Sequence, residues 1–279
     1  MGGLGLLGWL GVSLLRGEAA ERDAEVERSA SATAPTASRR QVLRIVFPEG
    51  FTREEMAARI TVVNGIARTK RDITPRLSAK EYLRLTASSP LPGRFAGDGT
   101  RRSLEGFLFP ATYEFRARTR TKQLVAQQLR AFRANWARVD LRFARSKNLT
   151  PYDVLIIASM IEKEVIAPEE RALVASVIYN RLRLGMTLGI DATIRYALKV
   201  PATESLRESQ LHDPNPYNTR LHHGLPPGPI ANPGLASIQA AAHPRRTAYL
   251  YFVRKPDKVH HFFTASKQEF DRYQREQGY

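Results

Sequence analysis

Two glutamates close an apolar run, and their spacing sorts them into different environments. From Asp153 to Glu164 the chain reads DVLIIASMIEKE, and residues 154 to 161 are almost wholly apolar. A surface helix keeps a polar face; this segment has none, so it is expected to be a helix buried on most sides. At about 100° per residue, Ile157, Met160, Ile161 and Glu164 share one stripe, while Glu162 points nearly the opposite way with Leu155, Ala158 and Ser159. A carboxyl group continuing an apolar stripe loses solvation, which disfavours its ionised form and raises its pKa, as a general acid at neutral pH requires. Glu164 is therefore the candidate acid. The plainer alternative is that the buried helix ends here and both glutamates turn to water.

A second stretch carries recognition chemistry. Pro214 to Gly234 reads PNPYNTRLHHGLPPGPIANPG, with six prolines, too many for a helix or a central strand. It also holds Tyr217, Asn218, Thr219 and Asn232, whose hydroxyl and amide groups suit binding of hydroxyl and acetamido groups. A long stiffened loop of this kind is commonly functional; the alternative is a surface crossover with incidental polar groups. The adjacent pairs His222 with His223 and His260 with His261 lack the i, i+4 spacing of a helical zinc pair, so no metal is expected.

Several elements must hold these two stretches together. Val42 to Phe47 alternates as a strand, and Thr52 with Glu55 three residues on is a capping-box signature opening a helix. A second helix is expected around Ser78 to Ala87, then a turn-rich LPGRFAGDGT and a strand-like, aromatic SLEGFLFPATYEF. Thr121 to Phe143 has helical spacing with its arginines on a solvated face. Pro168, Glu169 and Glu170 open a helix that stops at Gly185, leaving a corner at Val165 to Ala167 beside Glu164. A helix start at Asp191, the helix LASIQAAAHP, and two antiparallel strands in AYLYFVR and HHFFTAS complete the chain. Mixed elements without a βαβ rhythm argue for an α+β fold. The expected organisation is a short apolar segment at 1–16, a flexible linker at 17–40, a reduced N-terminal α/β subdomain at 41–103, and a mixed α+β catalytic domain at 104–279.

Composition narrows the classes. The 279 residues suffice for a real core, and the absence of cysteine excludes disulfides, thiolate catalysis and cysteine zinc sites. The formal charge of +16 predicts attraction to a polyanion, and residues 101 to 150 carry twelve Lys and Arg against three acids, a net of +9. The half holding Glu164 is not the basic half. Residues 3 to 15 are apolar but shorter than the roughly 20 residues of a membrane span, and read either as a frayed terminus or as the end of a membrane anchor.

Eight strings in order resemble the YceG-like family of endolytic murein transglycosylases (MltG): LEGFLFPATY (Leu104 to Tyr113), IASMIEKE (Ile157 to Glu164), VASVIYNRL (Val174 to Leu182), DATIRYA (Asp191 to Ala197), YNTRLHHGLPPGPIANPG (Tyr217 to Gly234), AAAHP (Ala240 to Pro244), YLYFV (Tyr249 to Val253) and the HHFF segment. The resemblance implies cleavage within peptidoglycan glycan strands, between N-acetylmuramic acid and N-acetylglucosamine, leaving 1,6-anhydromuramic ends. It implies that Glu164 is the catalytic acid, with no metal or cofactor. It implies that Tyr217, Asn218, Thr219 and Asn232 line the groove, with Asn232 alternatively holding the loop. Supporting roles fall to Asp191, standing behind the residues that touch sugar or capping its helix with Thr193; to Glu162, paired with a cation such as Lys163 or Arg171; and to Asn180 with Arg181, holding the corner.

Two departures accompany the resemblance. Relatives carry a transmembrane helix and a LysM-like subdomain before the strand at Val42 to Phe47, where this chain has a linker and an apolar stub. They also carry aspartate where this chain has Ala111. The implied partners are peptidoglycan glycan strands, wall-synthesis polymerases and the cytoplasmic membrane surface, with the catalytic domain on the outer side and no nucleic acid. The rival readings are a muramidase using Asp191, a non-catalytic glycan-binding module, and a basic nucleic-acid binder.

Overall fold

Residues 41–92, 95 and 101–278 are described by a computed structural model. The expected segments at 1–16 and 17–40 lie outside them. The chain opens with strand β1 (Leu43–Val46), whose alternate residues Leu43 and Ile45 face the core. Thr52 then caps helix α1 (Arg53–Arg71): its hydroxyl accepts from the Glu55 N–H while the Glu55 carboxylate accepts from the Thr52 N–H at 2.6 Å. Helix α2 (Ala79–Ala87) follows, capped by Ser78, and a short ribbon pairs β2 (Ser89–Pro90) with β3 (Arg101–Arg102).

Of the aromatic string expected to be a strand, only β4 (Thr112–Phe115) is one, pairing antiparallel with β1 from Leu43↔Phe115 to Val46↔Thr112. Residues 104 to 110 are not strand: the chain turns at 105 to 107, where Gly106 takes a φ of +87°, open to glycine at little cost. A Cβ there would also sit 2.7 Å from the Pro229 side chain and 3.2 Å from Leu155. The turn is thus packed hard against both the proline-rich loop and the buried helix.

Helix α3 (Thr121–Trp136) stops short of the expected Phe143, and a single-turn helix α4 (Arg142–Arg145) follows. The central helix α5 (Pro151–Glu164) starts from a Thr150–Asp153 capping box with Pro151 in its first turn. Its eight residues Val154 to Ile161 are all buried. At about 1.5–3 kcal/mol for each large aliphatic side chain, this helix is the main apolar investment of the fold. A 3₁₀ turn (Pro168–Glu170) leads into α6 (Arg171–Arg183), ended near Gly185 at φ +63°. Then come α7 (Asp191–Leu198), the one-turn α8 (Glu208–Leu211), α9 (Leu235–Ala242), the hairpin β5 (Tyr251–Arg254) with β6 (His261–Thr264), and α10 (Lys267–Gln277). Sequence reading did not anticipate α10.

Helix α5 packs against α6, α7 and α9, and the described strands pair in two-stranded sheets. The class is the expected α+β. The expected boundary between residues 103 and 104 is corrected: residues 42 to 279 form one compact unit, and β1 pairs with β4 directly across that point. No described helix is long and apolar enough to cross a membrane.

Candidate active site

The last turn of α5 assigns each polar side chain a separate task. Glu162 accepts from the Gly234 N–H at 3.0 Å, at the start of α9, and Lys163 donates to the Gly50 carbonyl at 3.3 Å. Glu162 therefore meets a backbone donor and lies beside Glu49; it does not take the cation partner expected for it. Higher on the helix, Ser159 donates to the Ile156 carbonyl and accepts from the Ile230 N–H at 3.0 Å, pinning the proline-rich loop to the buried core. The extended backbone of Val165 then turns the chain away.

Glu164 itself is turned toward the start of α7. Its carboxyl meets the Ala192 N–H and faces Asp191, Arg195 and Arg254. The acid keeps part of its surface exposed but is enclosed by protein, and its pKa is raised: burial is the dominant cause and Asp191 adds to it, while Arg254, the Ala192 N–H and Arg195 oppose them. Arg254 also donates to the Glu164 carbonyl at 3.0 Å. The result is a carboxyl biased toward its protonated form, with donors in place to receive negative charge once the proton has gone.

Asp191 is not the helix cap that one reading assigned to it. It is the first residue of α7, with Ile190 at the cap position, and its Oδ1 is engaged by Arg220 Nε at 2.6 Å. Thr193 donates its hydroxyl to the Ile190 carbonyl at 2.7 Å instead. A carboxylate held this way is a poor nucleophile, because its charge is already shared with a guanidinium.

Three of the four expected groove residues look inward. Asn218 donates to the carbonyls of Leu211 and Asp213 at 2.9 and 2.8 Å and accepts from the Arg220 N–H. Thr219 accepts from the Ile190 N–H at 3.0 Å and meets the Thr193 hydroxyl at 3.1 Å. Asn232 accepts from the Leu108 N–H and donates to the Phe51 carbonyl and to Glu105. All three are buried with their polar atoms committed, so Asn218 and Thr219 are corrected from binding sugar to holding the loop, and for Asn232 the alternative of holding the loop is the one its contacts fit. A loop that crosses a core must satisfy its own backbone, and short amides do this locally. Tyr217 is the exception: half-buried, it rests against Tyr196 at a ring separation of 5.4 Å, with its hydroxyl above Gly228.

Asn180 and Arg181 do not bind the corner. Asn180 donates to the carbonyls of Thr247 and Tyr249, and Arg181 to those of Leu250, Thr187 and Leu188. They hold the approach to β5. Among the described residues no group of three His, Cys, Asp or Glu could hold a metal.

Sequence reasoning missed Glu105 and Arg254. Glu105 is buried and accepts from the Arg53 N–H, from Asn232 Nδ2 at 2.7 Å and from the Tyr196 hydroxyl at 3.3 Å. Burial pushes its pKa up to about 8, against the pull of the Arg53 N–H. The signal was available: an acid directly between Leu104 and the apolar GFLF is either buried or out of place.

Similar proteins bear on this arrangement. A curated endolytic murein transglycosylase of Streptococcus pneumoniae (strain ATCC BAA-255 / R6) is 31% identical over 245 residues, 82% of this chain and 43% of its own length. One of Bacillus subtilis (strain 168) is 37% identical over 152 residues, 54% of this chain and 42% of its own length. The chain thus spans less than half the length of these relatives. A crystal structure of a putative YceG-like protein from Listeria monocytogenes superposes with a TM-score of 0.67 at 28% identity, over 82% of this chain and 75% of that one. The model of the YceG-like family matches residues 24–276, and the chain belongs to that family.

Proposed function

We propose that this chain is the catalytic part of an endolytic lytic transglycosylase, which cuts the bond between N-acetylmuramic acid and N-acetylglucosamine inside peptidoglycan strands. The observation that carries this reading is the enclosed carboxyl group of Glu164 at the end of α5, kept toward its protonated form, whose neighbouring carboxylate Asp191 is engaged by Arg220. Ordinary glycosidases need two working carboxyl groups, about 5–5.5 Å apart for a nucleophile or about 6.5–9.5 Å apart to activate water. A transglycosylase needs one, because the sugar's own C6 hydroxyl is the nucleophile.

Glu164 gives its proton to the glycosidic oxygen as the C1–O bond breaks and the N-acetylglucosamine side leaves as an alcohol. The resulting carboxylate then takes the proton of the C6 hydroxyl as that oxygen bonds to C1, closing the 1,6-anhydro ring. The carboxyl returns to its starting state and no water is consumed. Arg254, Arg195 and the Ala192 N–H stabilise the transient carboxylate without having to reorganise. Tyr217 borders the sugar path, while Asn218, Thr219 and Asn232 keep the loop in place.

Resemblance to the family supports three wider assignments: the wall polymer as substrate, a catalytic part on the outer side of the cytoplasmic membrane, and action beside wall-synthesis polymerases at nascent strands. Digestion of purified peptidoglycan with wild type and Glu164→Gln, followed by mass spectrometry of the muropeptides, is the test. Anhydro-ended internal fragments from wild type alone are expected. Reducing-end fragments would mean a hydrolase, and fragments from both proteins would remove Glu164 from the chemistry.

A further inference from the structure

Among the described residues lies a buried acid–base pair that the chemistry above does not use. Glu170, at the end of the 3₁₀ turn, and His261, the first residue of β6, are both buried. His261 Nδ1 lies 2.6 Å from Glu170 Oε2, and the His261 backbone N–H donates to both oxygens of the same carboxylate, at 3.0 and 3.2 Å. Three contacts thus fasten the hairpin to the segment that leaves α5. Burying such a pair is costly unless both partners are well satisfied, and this one sits at an informative point in the register. His261 is the residue paired with Arg254 across the hairpin, and Arg254 is the cation that meets Glu164 from β5.

We propose that the Glu170–His261 pair is a positioning device for the reaction: it docks the β5–β6 hairpin on the corner after α5 and so holds the Arg254 guanidinium against Glu164. The inference rests on Glu164 being the acid. Without the pair, a two-stranded hairpin is a weak platform, and the guanidinium at its edge is left to side-chain contacts such as its 3.0 Å hydrogen bond to the Glu164 carbonyl. The charged groups around the device are few. Asp191 and Arg195 face Glu164 from α7, with Arg220 on Asp191. Near Glu170 and His261 stand the half-buried His260, within 3.5 Å of Glu169, and Asp257, which His260 contacts at 2.9 Å.

The test is the pH dependence of kcat/KM for release of anhydro-ended muropeptides from purified peptidoglycan, using wild type, Arg254→Ala, Glu170→Gln and the double variant. Glu164 must start protonated, so it governs the alkaline limb. Removing Arg254 takes away a charge that favours the carboxylate, so that limb moves to higher pH. Glu170→Gln is expected to move it the same way and to lower kcat by about ten- to a hundredfold, the scale of a catalytic group misplaced by ~1 Å. In the Arg254→Ala background it should shift the limb no further.

An unmoved limb in Arg254→Ala overturns the proposal without disturbing the buried pair. So does an equal shift from Glu170→Gln in both backgrounds, which would mark a general loosening of the fold. A wild type that releases no anhydro ends refutes the transglycosylase reading itself, an outcome distinct from an active enzyme whose limb does not move.

Discussion

Asn232 Nδ2 donates to Glu105 Oε1 at 2.7 Å across 127 positions of sequence, and both residues are buried. The same asparagine accepts from the Leu108 N–H at 2.9 Å, so one side chain clamps both ends of the turn built on Gly106. Through the Tyr196 hydroxyl, the carboxyl reaches α7, whose first turn surrounds Glu164. The loop, the turn and the helix of the site thus meet at one acid.

That acid makes stability depend on pH. Burial holds Glu105 to a pKa of about 8, above its ordinary value of 4.5, so the folded state keeps a proton that the unfolded chain releases. The contribution is fully present below about pH 4.5 and is lost as pH rises toward 8, at a limiting slope of about 1.4 kcal/mol per pH unit. Glu105→Gln removes this component. Urea unfolding at pH 5 and pH 8 should show a smaller alkaline loss of stability in the variant than in wild type; equal losses would mean that Glu105 is ionised throughout.

Asn218 and Tyr217 are neighbours with opposite expected phenotypes. Asn218→Ala strands the carbonyls of Leu211 and Asp213 and should cost about 2–3 kcal/mol of stability. Tyr217→Phe deletes only a hydroxyl at a half-buried position and should stay within about 0.5 kcal/mol of wild type while raising KM for glycan strands. Thermal melts alongside muropeptide release separate the two. A Tyr217→Phe enzyme with unchanged KM would show that this hydroxyl does not meet the sugar.

Much of the architecture was legible because its signals are local. The capping box at Thr52, the stop near Gly185 and the buried stripe of α5 each depend on residues within a few positions of one another. Glu164 emerged from the same 3.6-residue period. What escaped depends on long-range pairing. Whether Asn218 and Asn232 face sugar or backbone is decided by Leu211, Asp213, Leu108 and Glu105, and no period in the sequence encodes those contacts. Arg254 looked like the end of a strand, and only the hairpin's docking brings it to Glu164.

A methyl group at Gly234 meets its obstacle outside the glycine's own backbone. A Cβ there would overlap the Glu49 carboxyl group, and the Gly234 N–H is the donor to Glu162. The obstacle is the far end of an exposed, flexible side chain that can swing aside, so Gly234→Ala should cost no more than about 1 kcal/mol. In a Glu49→Ala background the penalty should largely vanish, since the obstruction is one side chain; a penalty that persists would place the strain in the α9 backbone. Denaturant midpoints for the four proteins of this cycle decide between them.

Asp191 and Arg220 offer the sharpest separation of transglycosylase from hydrolase. Asp191 raises the pKa of Glu164, so Asp191→Asn should lower it and move the alkaline limb of kcat/KM to lower pH. Arg220→Ala frees the Asp191 carboxylate from its 2.6 Å partner and should move the limb the other way, because the unshared negative charge disfavours ionisation of Glu164 more strongly. Both variants should still release anhydro-ended fragments, since neither side chain takes part in bond making. If Asp191 were instead the second carboxylate of a hydrolase, Asp191→Asn would stop turnover at every pH and no limb would be left to measure. Opposite displacements of one limb by two neighbouring substitutions, with the product unchanged, can arise only if Glu164 carries the proton and Asp191 acts on it from a distance.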